Sequence, residues 1–168
     1  MSKIEVLVIN GSPGSGKSTI ANALSEELRK LDQVHAVIDV DELARVYPET
    51  QDDLIWRNLA AVWENYRQIE GLKAILPVCI DDQEALDKLT ASVPCDTFTI
   101  CELVAPVDVL KSRVTEREPN DYWRGKLRDL VKRYVDRPEK FSDFQVSTER
   151  SSVENTAKEI VAKLGWQS

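Results

Sequence analysis

The sequence is poor in the residues that build metal sites and disulfide frameworks. It has one histidine, His35, and three cysteines, Cys79, Cys95 and Cys101, in 168 residues. Without a second histidine or a C-x-x-C pair, it lacks the ligand spacing of a His-rich or Cys-rich zinc site. We therefore expect a structural role for His35, and we expect Cys79 and Cys101 to be buried free thiols in apolar strands.

Long apolar runs and an excess of positive charge are also missing. No apolar run approaches the roughly 20 residues of a membrane-spanning helix. The sequence enters an apolar segment almost at its first residue, so we expect no signal peptide and a cytoplasmic location. The 29 acidic and 22 basic residues give a formal net charge of −7. Because proteins that bind nucleic acid usually carry a basic face, the charge favours a small-molecule partner over nucleic acid.

Residues 11–18 read Gly-Ser-Pro-Gly-Ser-Gly-Lys-Ser and match the phosphate-binding pattern G-x-x-x-x-G-K-[ST] at every fixed position. The β-branched segment 4–9 before it predicts a buried strand. After it, apolar residues recur at helical spacing: Ile20, Leu24, Leu28 and Leu31. Strand, glycine-rich turn and helix are the arrangement in which backbone N–H groups and a helix N-terminus hold a phosphate chain. The motif implies a nucleoside triphosphate and magnesium, and it leaves the phosphoryl acceptor open.

The motif assigns a role to each of its residues. We expect the nucleotide to contact the loop and the first helical turn: Gly11, Ser12, Pro13, Gly14, Ser15, Gly16, Lys17, Ser18 and Thr19. Lys17 would reach the β- and γ-phosphates and act in catalysis, and the Ser18 hydroxyl would bind Mg²⁺.

Strand and helix patterns alternate along the rest of the chain, without a repeat or a domain linker. We predict one domain over residues 1–168, a three-layer α/β/α sandwich with a five-stranded, mainly parallel sheet. Ligands of such sheets bind at the carboxyl ends of the strands. The third strand, predicted at 73–80, contains Pro77, where regular pairing should end. A helix predicted at 53–70 has three N-cap candidates: Thr50, Asp52 and Asp53.

Asp39 and Asp41 follow the second predicted strand, residues 34–38, whose carboxyl end should lie on the same edge as the phosphate loop. A kinase benefits from one carboxylate that accepts or orients the acceptor proton and from another beside Mg²⁺. In the alternative, both acids cap a short helix that begins near Asp41. The magnesium-binding strand of a mechanical ATPase is a further alternative, for which this segment follows the loop too closely.

With these features the sequence resembles the small P-loop kinases of the nucleoside monophosphate kinase superfamily. That superfamily includes shikimate, gluconate and adenylylsulfate kinases, chloramphenicol phosphotransferase and the polynucleotide kinase domain. The resemblance spans nearly the whole chain and implies a P-loop NTPase fold with ATP as phosphoryl donor. It implies that Asp41 is the base that binds the acceptor and that Asp39 neighbours Mg²⁺. Arg45, one helical turn beyond Asp41, becomes a candidate for acceptor contact.

The resemblance also implies a helical lid that closes over ATP, which we place at residues 116–138. Arginine suits such a lid, because its charge is permanent and its planar fork matches phosphate oxygens. We rank Arg117 first, as a catalytic residue, followed by Arg113 and Arg124; the alternative for each is a solvated helix with i,i+4 charge pairs. Thr148 lies in the turn expected to contact adenine, which equally fits an N-cap for the last helix.

The acceptor side departs from the well-defined subfamilies. The third strand lacks the glycine-rich substrate loop of shikimate kinases and is followed by Asp81, which either assists magnesium or caps the next helix. Arg57, on the helix predicted at 53–70, is a candidate for acceptor contact. The Asn-Lys-x-Asp segment of guanine-reading GTPases is missing. A non-catalytic or regulatory ATP-binding protein and a nucleic-acid 5′-end kinase remain alternatives to a small-molecule kinase.

Overall fold

A computed structural model of the chain describes residues 3–48 and 53–167. In these ranges five strands form one sheet in the order β2-β3-β1-β4-β5, and every neighbouring pair is parallel. The strands are β1 (Glu5–Gly11), β2 (His35–Val37), β3 (Lys73–Pro77), β4 (Thr97–Val104) and β5 (Phe144–Ser147). The helices are α1 (Lys17–Lys30), α2 (Leu54–Tyr66), α3 (Gln83–Ser92), α4 (Val107–Arg117), α5 (Asp121–Asp136) and α6 (Val153–Leu164), with a 3-10 helix (Val40–Ala44) after β2.

The central strand β1 shows why the sheet has helices on both faces. Successive side chains of a strand point to opposite faces. Val6 and Val8 pack in one core cluster with residues of α2 and α3, whereas Leu7 and Ile9 pack in a second cluster with residues of α1 and α6. Because both faces are buried, the strand reads as a continuous apolar run in the sequence. The predicted three-layer α/β/α sandwich is confirmed, and its sheet is entirely parallel over the described residues.

Several element boundaries follow from local contacts. Regular pairing of β3 ends at Pro77, as predicted. Helix α2 ends at Tyr66 rather than near residue 70, and the exposed residues Gln68 and Ile69 that follow it make tighter i→i−3 hydrogen bonds. Asp53 occupies the N-cap position of α2 but pairs with Lys88 at 2.9 Å instead of making a capping bond. The other two N-cap candidates, Thr50 and Asp52, lie outside the described residues.

The predicted lid at 116–138 is helical, since it contains the end of α4 and all of α5. The two helices pack through a small cluster of their own, with Leu110, Val114 and Val131 buried at its centre. None of the helices in the two described ranges is long and apolar enough to span a membrane.

A buried ion pair fastens the C-terminal end of α5 to the sheet. Glu102 on β4 and Arg137, directly after α5, are 2% and 7% exposed and hydrogen-bonded to each other. The Tyr134 hydroxyl donates to Glu102 at 3.1 Å, and the Gln145 amide on β5 donates to it at 2.8 Å. Burial by itself would raise the pKa of Glu102, but the bonds from Arg137 and Gln145 hold that pKa below its ordinary value. Glu102 is therefore charged at neutral pH and joins β4, β5 and α5.

We predict that Glu102→Gln lowers the free energy of unfolding at pH 7 by about 3–5 kcal/mol, because it leaves the Arg137 charge buried without its counter-ion. Urea unfolding measures this loss. The loss should shrink at acid pH, because the stability due to a carboxyl with a lowered pKa disappears as the pH falls through that pKa.

The control is Glu154→Gln, which breaks an exposed pair with Lys158 at 2.8 Å and should change stability little. Equal losses in the two variants would show that the buried pair does not anchor α5.

Candidate functional site

A cleft with a volume of about 490 Å³ lies at the carboxyl edge of the sheet. Its lining comes from the phosphate loop after β1, from the segments that follow β2 and β3, and from helices α4 and α5. Three residues predicted to act in catalysis line this cleft: Lys17, Asp41 and Arg117. Parallel strands bring their carboxyl ends to one edge, so residues far apart in sequence meet here.

The phosphate loop fits closely against helix α4. Gly14 has a φ of +80°, and a Cβ atom there would lie 2.7 Å from the carbonyl oxygen of Leu110. Only glycine combines that backbone conformation with such a close approach. Gly16, with φ +93°, is the N-cap of α1, and no described side chain caps this N-terminus or adds an acid to its first turn. The positive end of the helix dipole is therefore available for an anion, which fits a nucleotide phosphate.

Lys17 is held at the base of this loop. Its Nζ donates to the carbonyl oxygens of Gly11 at 3.0 Å and Ser12 at 3.1 Å. Burial lowers the pKa of Lys17, the charge of Arg117 acts in the same direction, and the charge of Asp41 opposes both. The ammonium group is thus positioned in a cleft that already contains a second cation, an arrangement suited to a polyphosphate.

Ser18 and Asp39, the two residues predicted to bind magnesium, are in direct contact. The Ser18 hydroxyl donates to Oδ2 of Asp39 at 2.7 Å. Asp39 occupies the N-cap position of the 3-10 helix, yet its side chain makes no capping bond. The capping alternative is therefore wrong for Asp39. A hydroxyl and a carboxylate side by side are the oxygen ligands that Mg²⁺ prefers, so the pair fits this ion.

Asp41 lies in the 3-10 helix at the mouth of the cleft. Its side chain is open to water on one side and flanked by protein on the other. The partial loss of hydration raises the pKa of Asp41, the charge of Lys17 opposes this, and the charge of Asp39 adds to it. A carboxylate with a raised pKa is a better proton acceptor than an ordinary aspartate.

The chain after β3 differs from the sequence-based expectation. Asp81 lines the cleft and pairs with Arg133 of α5 at 3.4 Å, while Asp82 caps α3 by accepting from the backbone N–H of Ala85 at 2.8 Å. The capping role considered for Asp81 therefore belongs to the next residue. Cys79 was expected in a strand, but it is half-buried in the wall of the cleft, because β3 ends two residues earlier at Pro77. Burial raises the pKa of its thiol to about 11.

The three lid arginines occupy different places. Arg117 lines the cleft beside Lys17. Arg113 instead donates to the carbonyl oxygen of Gly14 at 3.3 Å and to Oγ1 and the carbonyl oxygen of Thr148 at 3.0 and 2.9 Å. Arg113 and Thr148 line a second cavity of about 290 Å³, which also borders the phosphate loop. Arg124 pairs with Asp121 at 2.8 Å in the first turn of α5 and lines neither cavity as the described residues form them.

Neither arginine proposed for acceptor contact lines the cleft formed by the described residues. Arg45 is exposed and pairs with Glu42 at 3.0 Å. Its placement beside Asp41 assumed an α-helix, whereas this segment is a 3-10 helix with about three residues per turn, which rotates Arg45 away from the expected face. Arg57 lies on an exposed side of α2.

Other site residues were missed by the sequence reasoning. Asn10 is completely buried, and its Oδ1 accepts from the backbone N–H groups of Gly11 and Ile80, both at 2.9 Å. A polar residue inside an apolar strand was the signal. Leu130 and Tyr134 of α5 line the cleft but lie in the most charged stretch of the sequence, where the charges masked their helical spacing. His35 has a structural place, with its ring nitrogens 2.9 Å from Ser25 Oγ and 2.8 Å from the Gln33 carbonyl oxygen.

Comparisons with known proteins agree with this architecture. A family model described as Novel STAND NTPase 3 matches residues 1–58, which include the phosphate loop. Among curated proteins, none matches the sequence significantly.

Solved structures match over nearly the full length. A gluconokinase from Sinorhizobium meliloti has 20% identity and a TM-score of 0.65, covering 100% of this chain and 99% of that one. The APS kinase of Mycobacterium tuberculosis, in complex with AMPPNP and APS, has 17% identity and a TM-score of 0.68, with 98% and 99% covered. The tunicamycin resistance protein of Deinococcus radiodurans has 20% identity and a TM-score of 0.66, with 98% and 96% covered. The chain therefore has the fold of the small P-loop kinases.

Proposed function

We propose that this protein is an ATP- and magnesium-dependent kinase that transfers the γ-phosphoryl group to a hydroxyl of a small-molecule acceptor. One observation carries the proposal: Lys17, the Ser18–Asp39 pair and Asp41 meet at the same edge of the sheet. The similar folds of a gluconokinase and an APS kinase support it.

ATP would bind across the phosphate loop. Its phosphates would face Lys17 and the N-terminus of α1, and its nucleoside would extend toward the cavity with Arg113 and Thr148. Ser18 and Asp39 would hold the magnesium ion through their oxygen atoms. When bound, magnesium neutralises negative charge on the phosphates.

The residues of the cleft supply the remaining chemistry. As the acceptor oxygen bonds to the γ-phosphorus, its proton passes to the Asp41 carboxylate, and the bond from the γ-phosphorus to the bridging oxygen breaks to release ADP. Lys17 and Arg117 would stabilise the negative charge on the transferred group and on the leaving oxygen. Because Lys17 is held by the carbonyl oxygens of Gly11 and Ser12, it needs little rearrangement during the step.

The match to an NTPase family model over residues 1–58 also fits a protein that binds ATP without phosphorylating a small molecule. A panel of sugars, sugar acids, nucleosides and amino alcohols, incubated with ATP and magnesium and analysed by mass spectrometry, tests this point. The kinase proposal predicts an acceptor that gains one phosphoryl group while ADP forms in equal amount. ATP binding without any phosphorylated acceptor would favour the regulatory alternative.

We predict that Lys17→Ala lowers phosphoryl transfer by about 10²- to 10³-fold while the protein stays folded, because fixed charge on the transferring group commonly contributes several kcal/mol. Initial rates of ADP formation measure the loss, and circular dichroism checks the fold. Lys30→Ala, at the exposed end of the same helix, is the matched control and should keep full activity. Near-normal turnover in a folded Lys17→Ala variant would refute the assignment.

We predict that Asp41→Asn and Asp39→Asn fail in different ways. Asp41→Asn should lower turnover by about 10²- to 10⁴-fold with little change in ATP–magnesium affinity, because a proton acceptor acts mainly in the transition state. Asp39→Asn should raise the magnesium concentration needed for half-maximal rate, because it removes a charged oxygen beside Ser18.

Initial rates against magnesium concentration distinguish the two effects. Full activity in Asp41→Asn, together with a loss in Asp39→Asn that magnesium does not restore, would reverse the two roles.

A further inference from the structure

The cleft also constrains the chemical class of the acceptor. We infer that the acceptor is a neutral hydroxyl compound with an apolar ring, rather than a sugar acid or another anion. The inference rests on the proposed kinase function and concerns the part of the cleft beyond the phosphate loop, where Asp41, Asp81 and helix α5 meet.

The charges in this part of the cleft disfavour an anion. Among the described residues that line the cleft, the basic ones are Lys17, Arg117 and Arg133. Lys17 lies on the phosphate loop with Arg117 nearby, so both belong to the phosphates of ATP. Arg133 is paired with Asp81, whereas the carboxylate of Asp41 makes no ion pair among the described residues, so it is the negative charge that the acceptor would face. An anionic acceptor would meet like charge there and lose affinity.

Helix α5 gives the same part of the cleft an apolar wall. Leu127, Leu130 and Tyr134 recur at intervals of three and four residues and all line the cleft. Leu130 is 37% exposed and belongs to none of the core clusters formed by the described residues, so the packing of the protein does not account for it. Trp123, 41% exposed, continues the stripe one turn before Leu127 by helical spacing. The apolar ring of the acceptor would cover this wall.

Two polar groups near the wall are unavailable to an acceptor. The Tyr134 hydroxyl is directed to Glu102, and the Arg137 guanidinium lies over its ring, so this residue offers the cleft only the small exposed part of that ring. The thiol of Cys79 stays neutral at physiological pH, because burial raises its pKa to about 11, and it behaves as a small apolar group. The acceptor site thus combines one carboxylate for the reacting hydroxyl with a surface that favours carbon over charge.

Two matched sets of probe acceptors test charge and apolar contact separately. The first comprises phenyl β-D-glucoside, its carboxylated counterpart phenyl β-D-glucuronide, and methyl β-D-glucoside, which lacks the apolar aromatic ring. The second comprises benzyl alcohol, its carboxylated counterpart 4-(hydroxymethyl)benzoate, and ethanol, which lacks the aromatic ring. We expect kcat/KM in at least one set to be highest for the neutral ring-bearing member, by at least about tenfold over both of its counterparts.

Replacing two leucines of equal exposure, one in the cleft and one outside it, provides an internal control. Leu130→Gln should raise the KM of the preferred probe by roughly tenfold, because it places a polar group in the apolar wall. Leu31→Gln replaces a leucine that is also 37% exposed but lies at the end of α1, and it should leave this KM unchanged.

The outcomes separate this inference from the kinase proposal. The inference would be overturned by a preference for a carboxylated probe or for one without the aromatic ring, or by an equal effect of the two leucine variants. Transfer to any acceptor would still support the kinase proposal. Phosphorylation of gluconate or shikimate with no reaction of either ring-bearing neutral probe would do the same. Failure of every compound to gain a phosphoryl group would overturn both.

Discussion

The buried amide of Asn10 joins the phosphate loop to the chain after β3, and the geometry of the cleft depends on it. Its oxygen accepts from the N–H groups of Gly11 and Ile80, and its Nδ2 donates to the Ile80 carbonyl at 3.3 Å. A buried amide that loses such partners pays the full desolvation penalty, so the two segments hold each other in place. One segment leads to Lys17 and the other carries Asp81. The two sides of the cleft that we propose for nucleotide and acceptor are therefore held together before any ligand binds.

The opposite wall of the cleft is built from α4 and α5, which the protein anchors at two points. Arg113 bonds α4 to the phosphate loop through Gly14 and to the chain after β5 through Thr148. The Glu102–Arg137 pair bonds the end of α5 to β4. The helix pair that carries the apolar wall is thus attached to the phosphate loop at one end and to the sheet at the other. This arrangement lets one pair of helices serve both the ATP side and the acceptor side of the proposed reaction.

The sequence could predict the fold and the phosphate side of the site because both depend on local patterns. The loop motif and the apolar strand before it required only neighbouring residues, and the meeting of Ser18 with Asp39 followed from the parallel sheet. The acceptor side depends on contacts between distant elements. The pairing of Asp81 with Arg133 joins residues 52 positions apart, and no spacing rule specifies it. Arg45 was misplaced because a single sequence does not reveal whether five residues form an α-helix or a 3-10 helix.

The claim that phosphoryl transfer to a small hydroxyl compound takes place in this cleft is tested most directly by following the phosphorus atoms. ³¹P NMR of the protein with ATP, magnesium and a mixed pool of neutral ring-bearing alcohols should show the γ-phosphate signal of ATP decline. A phosphomonoester signal should grow in equal proportion, with ADP as the other product. Loss of the γ-phosphate signal into inorganic phosphate alone, or no change while ATP is bound, would contradict the account.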